Sequence, residues 1–196
     1  MEYQVTEELV AKFQRLDRRK KDAVVERTAK VVLGPSVVRV FKSKTSEDLF
    51  RALKSLDLDE LRSCTTQERF DDFFFYALRK VDAAILEKNG NNSRVGDGHK
   101  WGHAAKVLCL YLRDLVLYTR YFDDEDALRL QNFLYMPVDS VVMKHLRACG
   151  VRITPQRIKE IDSEEQFRAI QTLFAEAARR AHVPKILFDD VWGENR

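Results

Sequence analysis

The fold class is decided by the stretch Thr65-Thr66-Gln67-Glu68-Arg69-Phe70-Asp71-Asp72-Phe73-Phe74-Phe75-Tyr76-Ala77-Leu78. Its two threonines before Gln67 and Glu68 are typical of a helix N-terminus. Apolar residues then continue to Val81 and Ile85 at helical spacing, which predicts a long helix that is buried on most of its sides. We expect the phenylalanines of this helix to pack in the core and not to stack on nucleobases.

The rest of the chain extends the helical pattern. Only 7 glycines and 4 prolines occur among 196 residues, and apolar residues recur at three- and four-residue spacing, which favours helices over a sandwich or barrel. An apolar fraction of 45% is enough to build a core. We therefore expect an all-α protein with roughly eight or more helices and no sheet. It should form one domain over residues 1–196, with two possible lobes, 1–88 and 89–196, beside a cleft.

Capping and breaker residues predict where the helices begin and end. A first helix starts at Thr6 and runs to about Arg19, and its apolar stripe consists of Leu9, Val10, Phe13 and Leu16. A second covers about 22–32, before Gly34-Pro35. After a terminating Gly150, further helices should start at Thr154-Pro155 and at Ser163. Two more helices are predicted to begin near Ser46 and Leu58. Three others should cover about 102–118, 126–134 and 140–149. The apolar segment 186–192 should pack on the core.

Composition narrows the class of protein further. No run approaches the ~18 apolar residues of a membrane span, and the N-terminus lacks the features of a signal peptide, so we expect a soluble, cytoplasmic protein. The three cysteines, Cys64, Cys109 and Cys149, are far apart and are expected to be reduced thiols. His145 with Cys149, and His99 with His103, have a spacing that suits two ligands on one helix face. Because no set of four ligands emerges, we expect no metal site.

Two segments carry the candidate chemistry. One is Gly102-His103-Ala104-Ala105-Lys106-Val107-Leu108, and the other is Met136-Pro137-Val138-Asp139-Ser140-Val141-Val142-Met143-Lys144-His145-Leu146-Arg147. A lysine early in one apolar helix and an aspartate before another are what a base-excision enzyme needs for attack on C1′ of a nucleotide. Simpler interpretations stay open: Asp139 as only an N-cap, and Lys106 as a solvated lysine at a helix edge.

Pro137-Val138-Asp139, followed by a helix of Val, Met and Leu, resembles the segment that carries the essential aspartate in the helix-hairpin-helix DNA glycosylase superfamily. The separation of Lys106 and Asp139 is 139 − 106 = 33 residues, which is nearest the archaeal-type 8-oxoguanine glycosylase branch. The resemblance covers about residues 90–150. The Leu-Pro-Gly-hydrophobic-Gly hairpin of the commonest members is missing here, and a Gly- and Asn-rich turn over residues 89–98 takes its place.

The resemblance implies a DNA glycosylase that excises a damaged or modified base from duplex DNA with a flipped nucleotide. Lys106 would be the nucleophile, and Asp139 would accept its proton or stabilise positive charge on the sugar. The resulting Schiff base can break the strand, which is AP-lyase activity. The resemblance implies no metal or organic cofactor. Lys100 is a competing nucleophile, at 139 − 100 = 39 residues from Asp139. Candidates for the base pocket are His99, Trp101 and His103.

A basic run supplies the expected phosphate contacts. From Ser140 to Lys159 the chain has no acidic residue and five basic ones, which are Lys144, Arg147, Arg152, Arg157 and Lys159. The backbone at Gly96 and Gly98, together with Lys100, is expected to contact DNA as well. By contrast, Arg18-Arg19-Lys20-Lys21 is interpreted as a solvated helix surface, and the acidic segment 123–126 should face away from nucleic acid.

Two hypotheses without catalysis remain. In the first, the chain is a helical nucleic-acid-binding or regulatory module, where Asp139 is a cap and Lys106 contacts a phosphate. In the second, it is a helical protein-interaction module whose basic face binds an acidic protein partner. The sequence does not distinguish DNA from RNA and does not identify the substrate base.

Overall fold

The computed structural model describes residues 6–41, 44–89, 101–148, 150–151 and 153–193, with side chains except those of 86–89, 192 and 193. These residues form ten α-helices and no strand, so the all-α prediction is confirmed for the described part of the chain. The helices are α1 (Glu7–Val32), α2 (Pro35–Val38), α3 (Thr45–Lys54), α4 (Leu58–Ser63), α5 (Gln67–Asn89), α6 (Trp101–Arg113), α7 (Asp124–Leu130), α8 (Ser140–Ala148), α9 (Glu164–Ala181) and α10 (Phe188–Gly193). A π-helical segment, Asp114–Tyr118, continues α6, and 3-10 turns cover Ile158–Glu160 and Lys185–Leu187.

Helix α5 lies in the core, as its sequence predicts. Thr66 Oγ1 accepts a hydrogen bond from the Arg69 amide at 3.3 Å, which caps the helix start. The phenylalanines of α5 are all buried, and the ring of Phe74 packs 5.7 Å from that of Phe167 and 4.8 Å from that of Tyr135. Such aromatic pairs add roughly 0.5–1.5 kcal/mol beyond the burial of their area. The helix packs against α3 on one side and α6 on another.

Helix α1 differs from the prediction, because one helix of 26 residues replaces the two expected ones. Thr6 caps it as predicted, with a 3.3 Å hydrogen bond from the Leu9 amide. No glycine or proline interrupts the chain near Arg19, and Lys21 pairs with Asp17 one turn earlier at 3.1 Å, so the helix continues. The predicted apolar stripe is largely exposed, at 40% for Val10, 61% for Phe13 and 48% for Leu16.

The segment between α8 and α9 also departs from the prediction. Gly150 ends α8 as expected, at φ 80°, which glycine adopts readily. No α-helix starts at Thr154-Pro155, and the chain makes only the 3-10 turn Ile158–Glu160 there. The reason is local: the Glu160 carboxylate accepts hydrogen bonds from the Gln156 and Arg157 amides and so fixes a compact loop instead of a helix.

The C-terminal segment packs on the core in part. Ser163 caps α9, Ile186 is fully buried, and Asp189 pairs with Arg113 at the end of α6. Val191, which was expected to be buried, is 61% exposed. One hydrophobic cluster runs from Val25 to Ile186 and draws residues from both halves of the chain. Within the described ranges, no helix combines the length and the apolar character that crossing a bilayer requires.

Candidate active site

Helix α6 presents two different faces. Trp101, Ala104, Ala105 and Leu108 follow helical spacing on its core side, where the Trp101 ring packs 5.7 Å from Phe167. His103 and Lys106 are three residues apart and therefore share another face. That face borders a cavity, so α6 holds Lys106 at a fixed position on a cavity wall.

Gly102 sets how closely α6 approaches the loop before α9. Its amide donates a hydrogen bond to the Ile161 carbonyl at 3.0 Å. A Cβ added at Gly102 would lie only 2.3 Å from the Ile158 carbonyl oxygen and 2.9 Å from the Ile161 Cβ. Because Ile158 also lines the cavity beside Lys106, the glycine is needed for the shape of this site.

Asp139 is the N-cap of α8. Its Oδ1 accepts hydrogen bonds from the Val141 amide at 2.9 Å and the Val142 amide at 3.0 Å, and its carbonyl accepts the first intrahelical bond, from Met143. These are the amides that lack a partner within the helix, and they stabilise a negative charge on the carboxylate. Asp139 is therefore an N-cap, while the interpretation that capping is its only role stays a hypothesis.

The non-helical segment before Asp139 is held from α9. The buried side chain of Gln171 accepts a hydrogen bond from the Met136 amide at 2.9 Å and donates one to the Met136 carbonyl at 2.8 Å. One amide side chain thus satisfies both polar backbone groups of Met136, as a neighbouring strand would. This contact fixes the chain three residues before the cap and so limits where the Asp139 carboxylate can lie.

The structure brings Lys106 and Asp139 together. The Lys106 Nζ lies 3.1 Å from the Asp139 Oδ2, and their side chains are 23% and 11% exposed. The cap uses Oδ1 and the ion pair uses Oδ2, so both interactions form at once. The predicted proximity of the pair is present, whereas its catalytic role stays a prediction.

The pair lies on the wall of a cavity of about 130 Å³. His103 lines this cavity, with its ring 6.1 Å from the Phe41 ring in an edge arrangement. Trp101, proposed from the sequence for the base pocket, is not among the described residues that line it, since its ring packs toward Phe167. The cavity is smaller than the roughly 300–1,000 Å³ typical of small-molecule sites.

One part of the cavity wall was not predicted from the sequence. It is formed by α2 and the turn after it, through Ser36, Val37, Arg39, Val40 and Phe41. Only a weak signal could have found these residues: Arg39 is a single cation in an apolar run directly after the breaker Gly34-Pro35. The exposed Arg39 adds positive charge at the cavity.

The described cations of the basic run are exposed, and some of them are engaged within the chain. Ser140, Lys144 and Arg147 lie on one face of α8, at spacings of four and three, and all are exposed. Because Ser140 lines the cavity, the two cations extend from it along the helix. Arg147 also donates to the Gln156 carbonyl at 3.0 Å. Arg157 pairs with Glu160 at 2.5 Å, which reduces its value as a phosphate contact.

Several predicted residues lie outside the described part of the chain. They are Gly96, Gly98, His99, Lys100, Cys149 and Arg152. Their predicted roles stay predictions. The buried Cys64 and Cys109 are free thiols, as expected, and burial raises the pKa of both.

The chain matches no protein-family model, no curated protein and no solved structure at a significant level.

Proposed function

We propose that this protein is a DNA glycosylase in which Lys106 attacks C1′ of a flipped nucleotide and Asp139 assists the attack. The observation that carries the proposal is the 3.1 Å contact between the Lys106 Nζ and the Asp139 Oδ2 on a cavity wall. Lys106 and Asp139 are 33 residues apart in sequence, and their helices hold them so that an amine and a carboxylate meet beside open space, which a nucleophile and its base require.

The reaction follows from the geometry of the pair. Once Nζ has passed a proton to Oδ2, the neutral Lys106 amine donates its lone pair to C1′, the glycosidic C–N bond breaks, and the departing base takes the bonding electrons and the proton held by Asp139. Asp139, again a carboxylate within hydrogen-bond reach, accepts a proton from the nitrogen now bonded to C1′. It gives this proton to O4′ as the C1′–O4′ bond breaks and the sugar ring opens, which leaves a protonated imine between Nζ and C1′. Loss of a C2′ proton from that protonated imine expels the 3′ phosphate, which is the lyase step.

Covering the cavity favours the neutral amine. Water reaches the pair in the unbound protein, since the Lys106 side chain is 23% exposed. A nucleotide that fills the cavity would exclude this water, and desolvation disfavours both charged forms. Transfer of the proton from Nζ to Oδ2 removes both charges in one step, so DNA binding itself would promote the nucleophilic form.

Phosphate contacts would come from the exposed cations next to the cavity. Lys144 and Arg147 extend along α8, and Arg39 lies on the opposite wall. Contacts of this kind position the duplex without reading its sequence. They would also offset the few kcal/mol that base flipping costs.

The base needs more room than the cavity of about 130 Å³ offers. The movable wall is α2, a helix of four residues with no buried residue. In the proposed reaction, α2 and Phe41 move outward as the nucleotide enters, while α6 and α8 keep Lys106 and Asp139 in place.

Borohydride trapping tests the proposal. Duplex oligonucleotides carrying 8-oxoguanine, uracil or an abasic site are incubated with the protein and borohydride, and covalent complexes are resolved on a denaturing gel. The expected result is a trapped complex with the wild type and with Lys100→Arg, and none with Lys106→Gln. Asp139→Asn should lower the rate by at least about 10²-fold, the lower end of the effect of a general base.

The matched controls separate chemistry from folding. Each variant must keep the helical circular dichroism of the wild type, and Lys12→Gln, which changes an exposed lysine on α1, should trap normally. Equal trapping by Lys106→Gln would remove Lys106 from the reaction. If no substrate is trapped and no base is released, the enzyme proposal fails and a non-catalytic binding module becomes the better hypothesis.

A further inference from the structure

The first half of α1 stands away from the rest of the fold. From Glu7 to Lys20 every residue is exposed except Leu9, which is half-buried. The first buried residue of the helix is Val25, and α1 packs against α3 and α6 from there on. At 1.5 Å per residue, roughly 20 Å of helix therefore extends into solvent.

The apolar residues of this half do not face the core. They form a stripe at helical spacing, which consists of Leu9, Val10, Phe13 and Leu16. The buried residues of the second half are Val25, Thr28, Ala29 and Val32. With 3.6 residues per turn, the middle of the stripe lies roughly 120° around α1 from the middle of that buried face. The stripe thus points away from the core, and a partner that covered it would remove apolar surface from water.

The exposed half of α1 is positively charged. Positions 7 to 21 hold six basic residues and three acidic ones, so their net charge is 6 − 3 = +3. The basic residues are Lys12, Arg15, Arg18, Arg19, Lys20 and Lys21, and the acidic ones are Glu7, Glu8 and Asp17. A second copy on the stripe would bring two net positive helices together, whereas an anionic partner would be attracted.

The basic residues are not spread evenly around the helix. Lys12, Arg19 and Lys21 flank the stripe, at roughly 90–110° from its middle, while Arg15 and Arg18 lie on the far side. Two of the flanking lysines form exposed ion pairs within α1, Lys12 with Glu8 and Lys21 with Asp17. Exposed pairs of this kind are weak, so they leave both lysines available to a stronger anionic partner.

The position of Lys20 favours a flat surface over a protein groove. It follows Phe13 by seven residues and Leu16 by four, so it continues the line of the stripe. In a closed apolar groove its ammonium would be buried and would need a carboxylate partner. At a lipid surface, the apolar stem of the side chain lies against the lipid while the ammonium extends to the headgroups.

We propose that the first half of α1 binds an anionic lipid surface. The helix lies in the plane of the surface, with its apolar stripe at the boundary between headgroups and acyl chains. Lys20 and the flanking cations contact the phosphate and carboxylate groups of the lipids. The helix does not cross the membrane, and binding is reversible because the stripe has only four residues. This proposal does not depend on the chemistry at Lys106.

Flotation of the full-length chain with lipid vesicles tests the proposal. One set of vesicles contains phosphatidylcholine alone, and the other contains roughly one part of phosphatidylserine to three parts of phosphatidylcholine. The wild type should bind the phosphatidylserine vesicles at least about ten-fold more tightly, because each cation near an anionic surface contributes about five-fold. Raising the salt concentration should reduce this difference.

A double variant tests the stripe. Phe13→Gln with Leu16→Gln should lower the affinity for phosphatidylserine vesicles at least about ten-fold, because two apolar side chains no longer enter the lipid. Leu128→Gln on α7 is the matched control, since Leu128 is 62% exposed and Phe13 61%. This control should float like the wild type. All three substituted residues are exposed, so the variants should keep the helical circular dichroism of the wild type.

Two further double variants test the orientation of the helix. Arg19→Gln with Lys20→Gln removes two charges next to the lipid and should lower the affinity by up to about 25-fold. Arg15→Gln with Arg18→Gln removes the same charge from the far side of the same turns and should lower it by less than about five-fold, because screening weakens the more distant contacts.

Four results would overturn the proposal. Without flotation on phosphatidylserine vesicles, an acidic protein groove becomes the better occupant of the stripe. Unchanged flotation of the Phe13→Gln, Leu16→Gln variant would mean that charge alone binds the lipid. Equal losses in the two charge variants would mean that the stripe does not face the surface. A dimer in sedimentation that this stripe variant abolishes would assign the stripe to a second copy of the chain.

Discussion

Replacing Asp139 separates its two structural interactions, because the cap and the ion pair use different oxygens. Asp139→Ala removes both. Loss of an N-cap costs typically about 1 kcal/mol, and loss of an ion pair such as that with Lys106 costs up to about 1 kcal/mol. Asp139→Asn keeps a side-chain oxygen that caps nearly as well as aspartate and removes only the charge. We therefore expect the alanine variant to lose roughly 2 kcal/mol and the asparagine variant roughly 1 kcal/mol or less.

Urea unfolding followed by circular dichroism measures both changes, provided that the denaturant slope stays constant across the variants. For a chain of this length, 1 kcal/mol corresponds to roughly 2–4 °C in Tm. The asparagine variant should still be trapped at least about 10²-fold more slowly than the wild type, since it cannot accept a proton from Lys106. Equal destabilisation by the two substitutions would refute the assignment of the cap, and normal trapping by Asp139→Asn would refute the assignment of the base.

Two further predictions concern the surroundings of the site, and a third concerns the buried Lys185. Gly102→Ala should lower the free energy of unfolding by roughly 1–3 kcal/mol through overpacking against the Ile158 carbonyl, although alanine is the better helix former. If the variant resists urea better than the wild type, the close approach of α6 to Ile158 is contradicted. Replacing Lys144 and Arg147 by alanine should reduce the slope of log K against log salt concentration for duplex binding by about two, while Arg51→Ala on α3 should leave this slope unchanged. Equal slopes for the wild type and the double variant would mean that Lys144 and Arg147 do not contact phosphates. Lys185→Met should be more stable than the wild type at pH 7 by up to roughly 3 kcal/mol, since a pKa lowered from 10.5 to about 8 means that unfolding takes up a proton between those values. The free energy of unfolding of the wild type should thus rise from pH 8 to 10.5 relative to that of Lys185→Met. Urea titrations that give the two proteins parallel pH profiles would contradict this prediction.

Local signals in the sequence explain which features could be predicted. The cap residue before α5 and the uninterrupted apolar spacing behind it specify a buried helix without knowledge of its partners. Asp139 could be placed for the same reason, since an aspartate between Pro137-Val138 and an apolar helix is a local N-cap pattern. The overlong α1 has an equally local cause: charge alone does not end a helix, and no breaker follows Arg19.

The missed features depend on contacts between distant segments. Nothing near residues 36–41 indicates that they line a cavity with Lys106, because that wall forms only when Phe41 packs beside His103 of α6. Lys185 follows Val183-Pro184 in a segment that looks like an ordinary helix end, and only the packing of α9 against Tyr135 buries its amine. The loop at Thr154-Pro155 defeats a valid helix-start signal because Glu160 binds the amides of the turn instead.

The position of the Lys106–Asp139 pair favours a chemical role over a purely structural one. An ion pair that keeps part of its contact with water adds little stability, because desolvation of the two charges offsets much of their mutual attraction. Asparagine would cap α8 as well, and an apolar side chain at position 106 would pack against its neighbours without that penalty. The pair also lies beside open space and not inside the core. An ion pair that served packing alone would not need to border a cavity. Gly102 and Gln171 then fix the two helices that carry it, so the backbone positions both groups before any substrate is present, as preorganised catalysis requires.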